Sequence, residues 1–265
     1  MHRRGSLFWG ILLVLLAALL LLRQMGIIGG DIFGYFWPLV IILFGIWLIF
    51  GFFNRRGRRP VEGEQVSIPL EGATSAYIKI DHGAGRVNLR AGTAAGELLT
   101  GIFGGGLETK TKVTDGRLEV KMRTPRQFWI WWPGDSLDWD FALSRDLPLS
   151  LNIDSGASTS TFDLSELKVT DLDLDTGAST TEITLPANAG ITHVDIDTGA
   201  STLKITVPAG VAARIQTKTG LATVSVDPNR FPRIGGGLYQ SADYATAANR
   251  ADITIDAGVG TINIK

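Results

Sequence analysis

The chain has 265 residues, no cysteine, and 25 basic against 26 acidic side chains, for a formal net charge of −1. The missing thiol excludes disulfides, Cys-ligated zinc, iron–sulfur clusters and thiol catalysis. The charge is divided: residues 1–60 hold seven Arg and one Asp, whereas 61–265 hold eighteen basic and twenty-five acidic residues. The acidic segment is therefore a poor partner for nucleic acid, whose phosphates call for a basic surface.

In chain order, the first element is the apolar run Leu7–Leu22, extended past Arg23 by Met25-Gly26-Ile27-Ile28. The second is Ile32–Phe53, which has no charged residue and is long enough to span a bilayer. Tyr35, Phe36 and Trp37 stand near its start, where an aromatic belt lies, and Pro38 falls in its first turns. We read residues 1–60 as two transmembrane helices, about 7–28 and 32–53, followed by a basic juxtamembrane stretch. A cleaved signal peptide is the competing reading of the first run. It lacks a small-residue cleavage site, since Arg23-Gln24-Met25-Gly26 follows, and the second span arrives within ten residues.

Orientation follows from the arginines. Arg3 and Arg4 precede the first helix and Arg55, Arg56, Arg58 and Arg59 follow the second, while the connecting loop carries only Arg23 and Asp31. Positive charge marks the cytoplasmic side, so both termini and everything after residue 60 are expected in the cytoplasm. The Arg55–Arg59 stretch is expected to rest on anionic headgroups of the lipid bilayer.

Residues 61–265 repeat. Leu151–Leu164 (LNIDSGASTSTFDL), Leu172–Pro186 (LDLDTGASTTEITLP), Val194–Pro208 (VDIDTGASTLKITVP) and Ile215–Val226 (IQTKTGLATVSV) align on Gly156, Gly177, Gly199 and Gly220, spaced by 21, 22 and 21 residues. Two further copies, Ile78–Leu89 and Ile253–Ile264, carry Gly83 and Gly258. Apolar residues alternate before and after each glycine, the period of a half-buried strand. Each glycine marks a structural turn, either through positive φ or through close backbone packing. The expected fold is all-β, a stacked β-solenoid-like domain of about 21 residues per rung. Such a stack needs caps, for which Phe128–Asp140 and Gly235–Arg250 are the candidates.

The motif Asp-[Ser/Thr]-Gly-Ala-Ser at Asp154, Asp175 and Asp197 resembles that of aspartic proteases. Those enzymes need two carboxylates sharing a proton. A threefold recurrence on the repeat period instead predicts an aspartate ladder formed by turns. Asp171, Asp173, Asp175, Asp195 and Asp197 could offer oxygen ligands to Ca²⁺, but a solvated acidic face is the plainer reading. The fragments Gly83–Gly85 and Gly258–Gly260 lack the spacing of a phosphate loop. His82 and His193 read as surface or turn histidines. No catalytic, cofactor or metal site is expected. The cluster Trp129, Trp131, Trp132 and Trp139 is either a core cap or a partner patch.

Two groups of motifs carry a family resemblance. The Gly26–Asp31 turn, Phe36-Trp37-Pro38-Leu39 and Ile41–Ile49 (IILFGIWLI) resemble the two-helix membrane region of LiaI/LiaF-like bacterial proteins. Trp139–Leu143 (WDFAL), Asp154–Asp163 and the repeated DTGAS turns resemble the toastrack-type, LiaF C-terminal β-repeat domain. The resemblance implies a non-enzymatic membrane regulator of the cell-envelope stress response that restrains a partner histidine kinase. It supplies no catalytic residues. Contacts are expected through the β domain, with the kinase or by self-association. A self-assembling or adhesin-like anchored repeat protein is the alternative.

Overall fold

Apolar side chains alternate with polar ones on both sides of each repeated glycine, and the backbone responds with strands of fifteen to seventeen residues that bend in the middle. The computed structural model describes residues 63–125 and 137–265. The two helices expected at 7–28 and 32–53, together with Trp129, Trp131 and Trp132, lie outside those residues.

The described strands are β1 (Glu64–Pro69), β2 (Ser75–Ala91), β3 (Glu97–Phe103), β4 (Glu108–Thr114), β5 (Arg117–Arg123), β6 (Trp139–Leu143), β7 (Pro148–Asp163), β8 (Lys168–Thr184), β9 (Ile191–Thr206), β10 (Ala212–Val226), β11 (Arg233–Gly235), β12 (Leu238–Gln240) and β13 (Arg250–Ile264). Six long strands run parallel in the order β2-β7-β8-β9-β13-β10. Sequence order and spatial order differ at one place. The final copy, β13, slots between β9 and β10, whereas the sequence repeat suggests a last strand pair beyond the run.

Each long strand is two arms joined at a corner. In β8, Leu172, Leu174 and Thr176 point inward, Gly177 and Ala178 are both exposed, and Thr181 and Ile183 point inward again. The one-residue slip in phase lets both arms face the same core as the chain bends. The corner glycines fall outside the residue-by-residue ladder: Ser155 pairs with Thr176 and Ala157 with Ala178, with the glycines between them unpaired. Four residues, 164–167, connect β7 to β8. A link that short spans at most about 14 Å, so the end of a second arm lies close to the start of the next first arm. Leu164, Leu185 and Val207 at these connections are buried, and their amides donate to the carbonyls of Thr184, Thr206 and Lys265.

The two ends of the stack are built differently. At one end, β5 pairs with the first arm of β2 (Ser75–Asp81) and β6 with its second arm (Val87–Ala91), both in parallel. Together they form one strand level interrupted at the corner by 124–138. Antiparallel β4 covers β5, and antiparallel β3 and then β1 extend beyond β6. Trp139, Phe103 and Phe141 fill the core here, Phe103 lying 5.3 Å from Trp139 and 5.8 Å from Phe141 between ring centroids. At the other end, β12 pairs with only Arg214–Gln216 of β10, and β11 pairs with β12. Within the candidate cap at 235–250, strand pairing to β10 among the described residues is confined to its first arm.

Candidate functional site

Parallel, in-register stacking turns the repeated pentapeptide into columns that run across the corner. Before the glycine, Asp81, Asp154, Asp175, Asp197 and Asp256 occupy successive exposed positions, and Lys218 ends the row. Neighbouring strands lie about 4.8 Å apart, so this is an open ladder in water. The three aspartates that mimic a protease motif belong to it and form no buried dyad. Among the described residues no His, Asp and Glu group of three is arranged to hold a metal ion.

The next column points inward and is polar. His82, Ser155, Thr176 and Thr198 are buried one above another. Thr176 donates to Thr198 at 3.0 Å, and the hydroxyls of Ser155 and Ser158 lie 2.9 Å apart. Satisfying buried hydroxyls within the column avoids the desolvation cost of an unpaired polar group.

The corner glycines explain themselves by proximity. A Cβ on Gly177 would stand 2.8 Å from the Gly156 carbonyl oxygen, and one on Gly199 2.8 Å from that of Gly177. Gly156 meets Gly83, Gly258 meets Gly199, and Gly220 meets Gly258 in the same way, at 2.6, 2.6 and 3.0 Å. None of these five has positive φ. Of the two reasons the sequence offered for the turns, close backbone packing is the operative one. Gly83 starts the column, and a Cβ there meets nothing within 4 Å among the described residues. Positive φ belongs to the second glycine of the outlying copies, Gly85 at 133° and Gly260 at 143°, where other strands carry Ser158, Ser179 and Ser201.

Beyond the glycines runs an exposed apolar row: Ala84, Ala157, Ala178, Ala200, Val259 and Leu221. It grows bulkier toward β10, where Val259 is 51% and Leu221 84% exposed.

His82 differs from its sequence reading. It is buried, because register places it at the inward position that Ser155 and Thr176 hold elsewhere. Its Nε2 lies 2.8 Å from the Leu137 carbonyl oxygen, its ring packs edge-on to Trp139 at 4.9 Å, and Nδ1 has no partner. Burial holds the imidazole below its ordinary pKa, opposed in part by the Leu137 hydrogen bond and the Asp138 charge. His193 is exposed, 3.9 Å from Asp252. Of the tryptophan cluster, Trp139 is a fully buried core residue. The other three lie outside the described residues.

A shallow dip of about 280 Å³ on the second arms of β7, β8 and β9 is lined by Thr161, Asp163, Glu182, Thr184, Lys204 and Thr206. Lys204 and Glu182 pair across it at 3.4 Å. These are exposed or half-exposed side chains, not a constellation of acid, base and nucleophile.

Comparison with known proteins agrees with this geometry. Residues 7–49 match the LiaI-LiaF-like transmembrane region, which makes this a membrane protein. No curated protein matches the chain in sequence. Among solved structures, a candidate cell adhesion protein from Clostridium sporogenes aligns with TM-score 0.71 and 22% identity, covering 78% of this chain and 99% of that one. That likeness shows a shared fold. A candidate adhesin from Bacteroides fragilis aligns over 79% of this chain and all of that one, with 11% identity and a TM-score of 0.30, too low to bear on the fold. Residues 57–206, more than half of the chain, match the N-terminal domain of toast_rack (DUF2154), and the chain belongs to that family.

Proposed function

We propose that this is a non-enzymatic regulatory or scaffolding protein of the bacterial cell envelope, acting through protein contacts made by a cytoplasmic β domain. One observation carries the reading: a LiaI-LiaF-like membrane region and a toast-rack domain occur in that order in one chain. The described surface supports it. It presents exposed columns and sheet edges rather than a cleft with convergent acid–base groups. The division into residues 1–60, two spans with basic flanks, and 61–265, a stack of rungs of about 21 residues, is part of the proposal. So is the cytoplasmic placement, which rests on Arg3 and Arg4 before the first span and the four arginines after the second. A membrane histidine kinase is the partner class that the family resemblance suggests.

The adhesin-like alternative draws on the fold shared with the Clostridium sporogenes protein. It requires the β domain to lie outside the cell, which the arginine distribution opposes. Chemical crosslinking in native membranes followed by purification of the intact chain tests the leading reading. It predicts recovery of a second membrane protein in fixed proportion. Recovery of this chain with no other protein would count against regulation of a partner.

A further inference from the structure

Four strand edges are open among the described residues, and three of them carry features that discourage pairing with another chain. β1 has Glu64 and ends at Pro69; β4 carries Glu108, Lys110 and Lys112; β11 is three residues long and begins with Arg233. Charge, proline and shortness are the usual means of blunting an edge. The fourth edge, the second arm of β10 (Leu221–Val226, LATVSV), has none of them. Its inner side pairs with β13, and β12 stops at Arg214–Gln216 on the first arm, so its outer row of backbone N–H and C=O groups has no strand partner among the described residues. The core beneath is also open. Val224 and Val226 are half-exposed, although their register mates Ile262, Ile264, Leu203 and Ile205 are fully buried. Leu221 and Val259 add exposed apolar surface at the adjoining corner.

We infer that the Leu221–Val226 edge pairs antiparallel with the same edge of a second copy of this chain, joining two stacks about a twofold axis near Thr223. Three observations select this occupant. The edge is self-compatible: uncharged throughout, with Ala222, Val224 and Val226 on the core side and Leu221, Thr223 and Ser225 on the solvent side. Antiparallel pairing sets the Lys218 end of one copy beside the Asp227 end of the other, whereas parallel pairing would align like charges. Stacking onto the opposite end of another copy would instead meet the charged β4 or β1. A twofold contact also closes, so it gives a pair rather than a fibre. Confinement to a membrane raises the effective concentration of copies and favours a contact of only six residues. The inference deepens the proposed function by naming one contact of the β domain.

The 265-residue chain lacks cysteine, so single thiols report cleanly. Leu221→Cys, Thr223→Cys and Ser225→Cys are placed in turn on the solvent side of the edge, with Thr111→Cys on exposed β4 as control. Mild oxidation in native membranes should give a disulfide-linked band of twice the chain's mass for at least one edge thiol, several-fold above the control. Opposed residues in antiparallel strands stand close enough for this bond. Adding Ser225→Lys to the Thr223→Cys chain, or Thr223→Lys where the crosslinking thiol is at 221 or 225, should abolish the band while leaving the melting temperature unchanged, since both positions face solvent. Three results would each overturn the proposal: no edge thiol exceeding the control, a band containing another protein alone, or crosslinking that survives the added lysine. Failure here would leave intact any partner recovered by crosslinking and purification, so the two readings fail separately.

Discussion

The two ends of the stack solve the same problem with different completeness. Both must cover the inward face of a terminal strand, since a lone level cannot bury its own apolar side. At the β2 end, a split level and three antiparallel strands close both arms, and Trp139, Phe103 and Phe141 pack the interior with no exposure. At the β10 end only the first arm is covered among the described residues, with Phe231, Ala213 and Ile215 buried, while Val224 and Val226 stay half-exposed. Identical repeats therefore do not make identical ends. What differs is the non-repeating chain that follows or interrupts them.

The largest test of that contrast is a pair of truncations. Trp139→Ala should cost about 3–5 kcal/mol, the range for emptying a large aromatic site in a closed core. Val224→Ala at the open end should cost about 1 kcal/mol or less, because only part of the side chain leaves water. Thermal melting of the two variants measures the difference, and equal losses would mean that the ends are equally closed.

A second pair separates the middle of the stack from its start. Gly177→Val puts a branched side chain against the Gly156 carbonyl oxygen, 2.8 Å from where its Cβ must sit. The loss should be about 3 kcal/mol, as for overpacking a rigid site. Gly83→Ala, with nothing within 4 Å among the described residues, should fall within about 0.5 kcal/mol of the parent. A neutral Gly177→Val would contradict the close-approach account of the corner.

The smallest effect is with pH and belongs to the β2 end. His82 has a folded-state pKa below its ordinary 6.5, so between those two values the unfolded chain binds the extra proton. Its contribution is fully present above pH 6.5 and is lost as pH falls from there through the lowered folded-state value. Denaturant midpoints measured across that window should fall on acidification in the parent and flatten in His82→Gln.

Much of this was legible in the sequence. The alternation of Leu172 and Leu174 before the glycine, and of Ile183 and Leu185 after it, marks two arms facing one core, because strand side chains keep a period of two. The glycine column was legible, but its cause was not. Positive φ and close approach both select glycine, and only the register shows a neighbouring carbonyl where Cβ would be. The insertion of β13 between β9 and β10 was hidden because repeat similarity says nothing about which copies are neighbours. The split level was hidden as well, since 124–138 stands where a corner glycine would otherwise identify β5 and β6 as one repeat. His82 was misplaced for a related reason: a polar residue beside a glycine reads as a turn, until the buried column of Ser155, Thr176 and Thr198 shows which way the position faces.

The functional account turns on where the β domain lies. In the regulatory reading the domain works in the cytoplasm; in the adhesin-like reading it works outside the cell. Fusing a reporter that folds and acts only in the cytoplasm after Lys265 of the full-length chain, and in a parallel strain one active only outside the cell, measures this directly. The arginine distribution predicts activity from the cytoplasmic reporter alone. Activity from the external reporter alone would contradict the regulatory reading and leave the adhesin-like one standing.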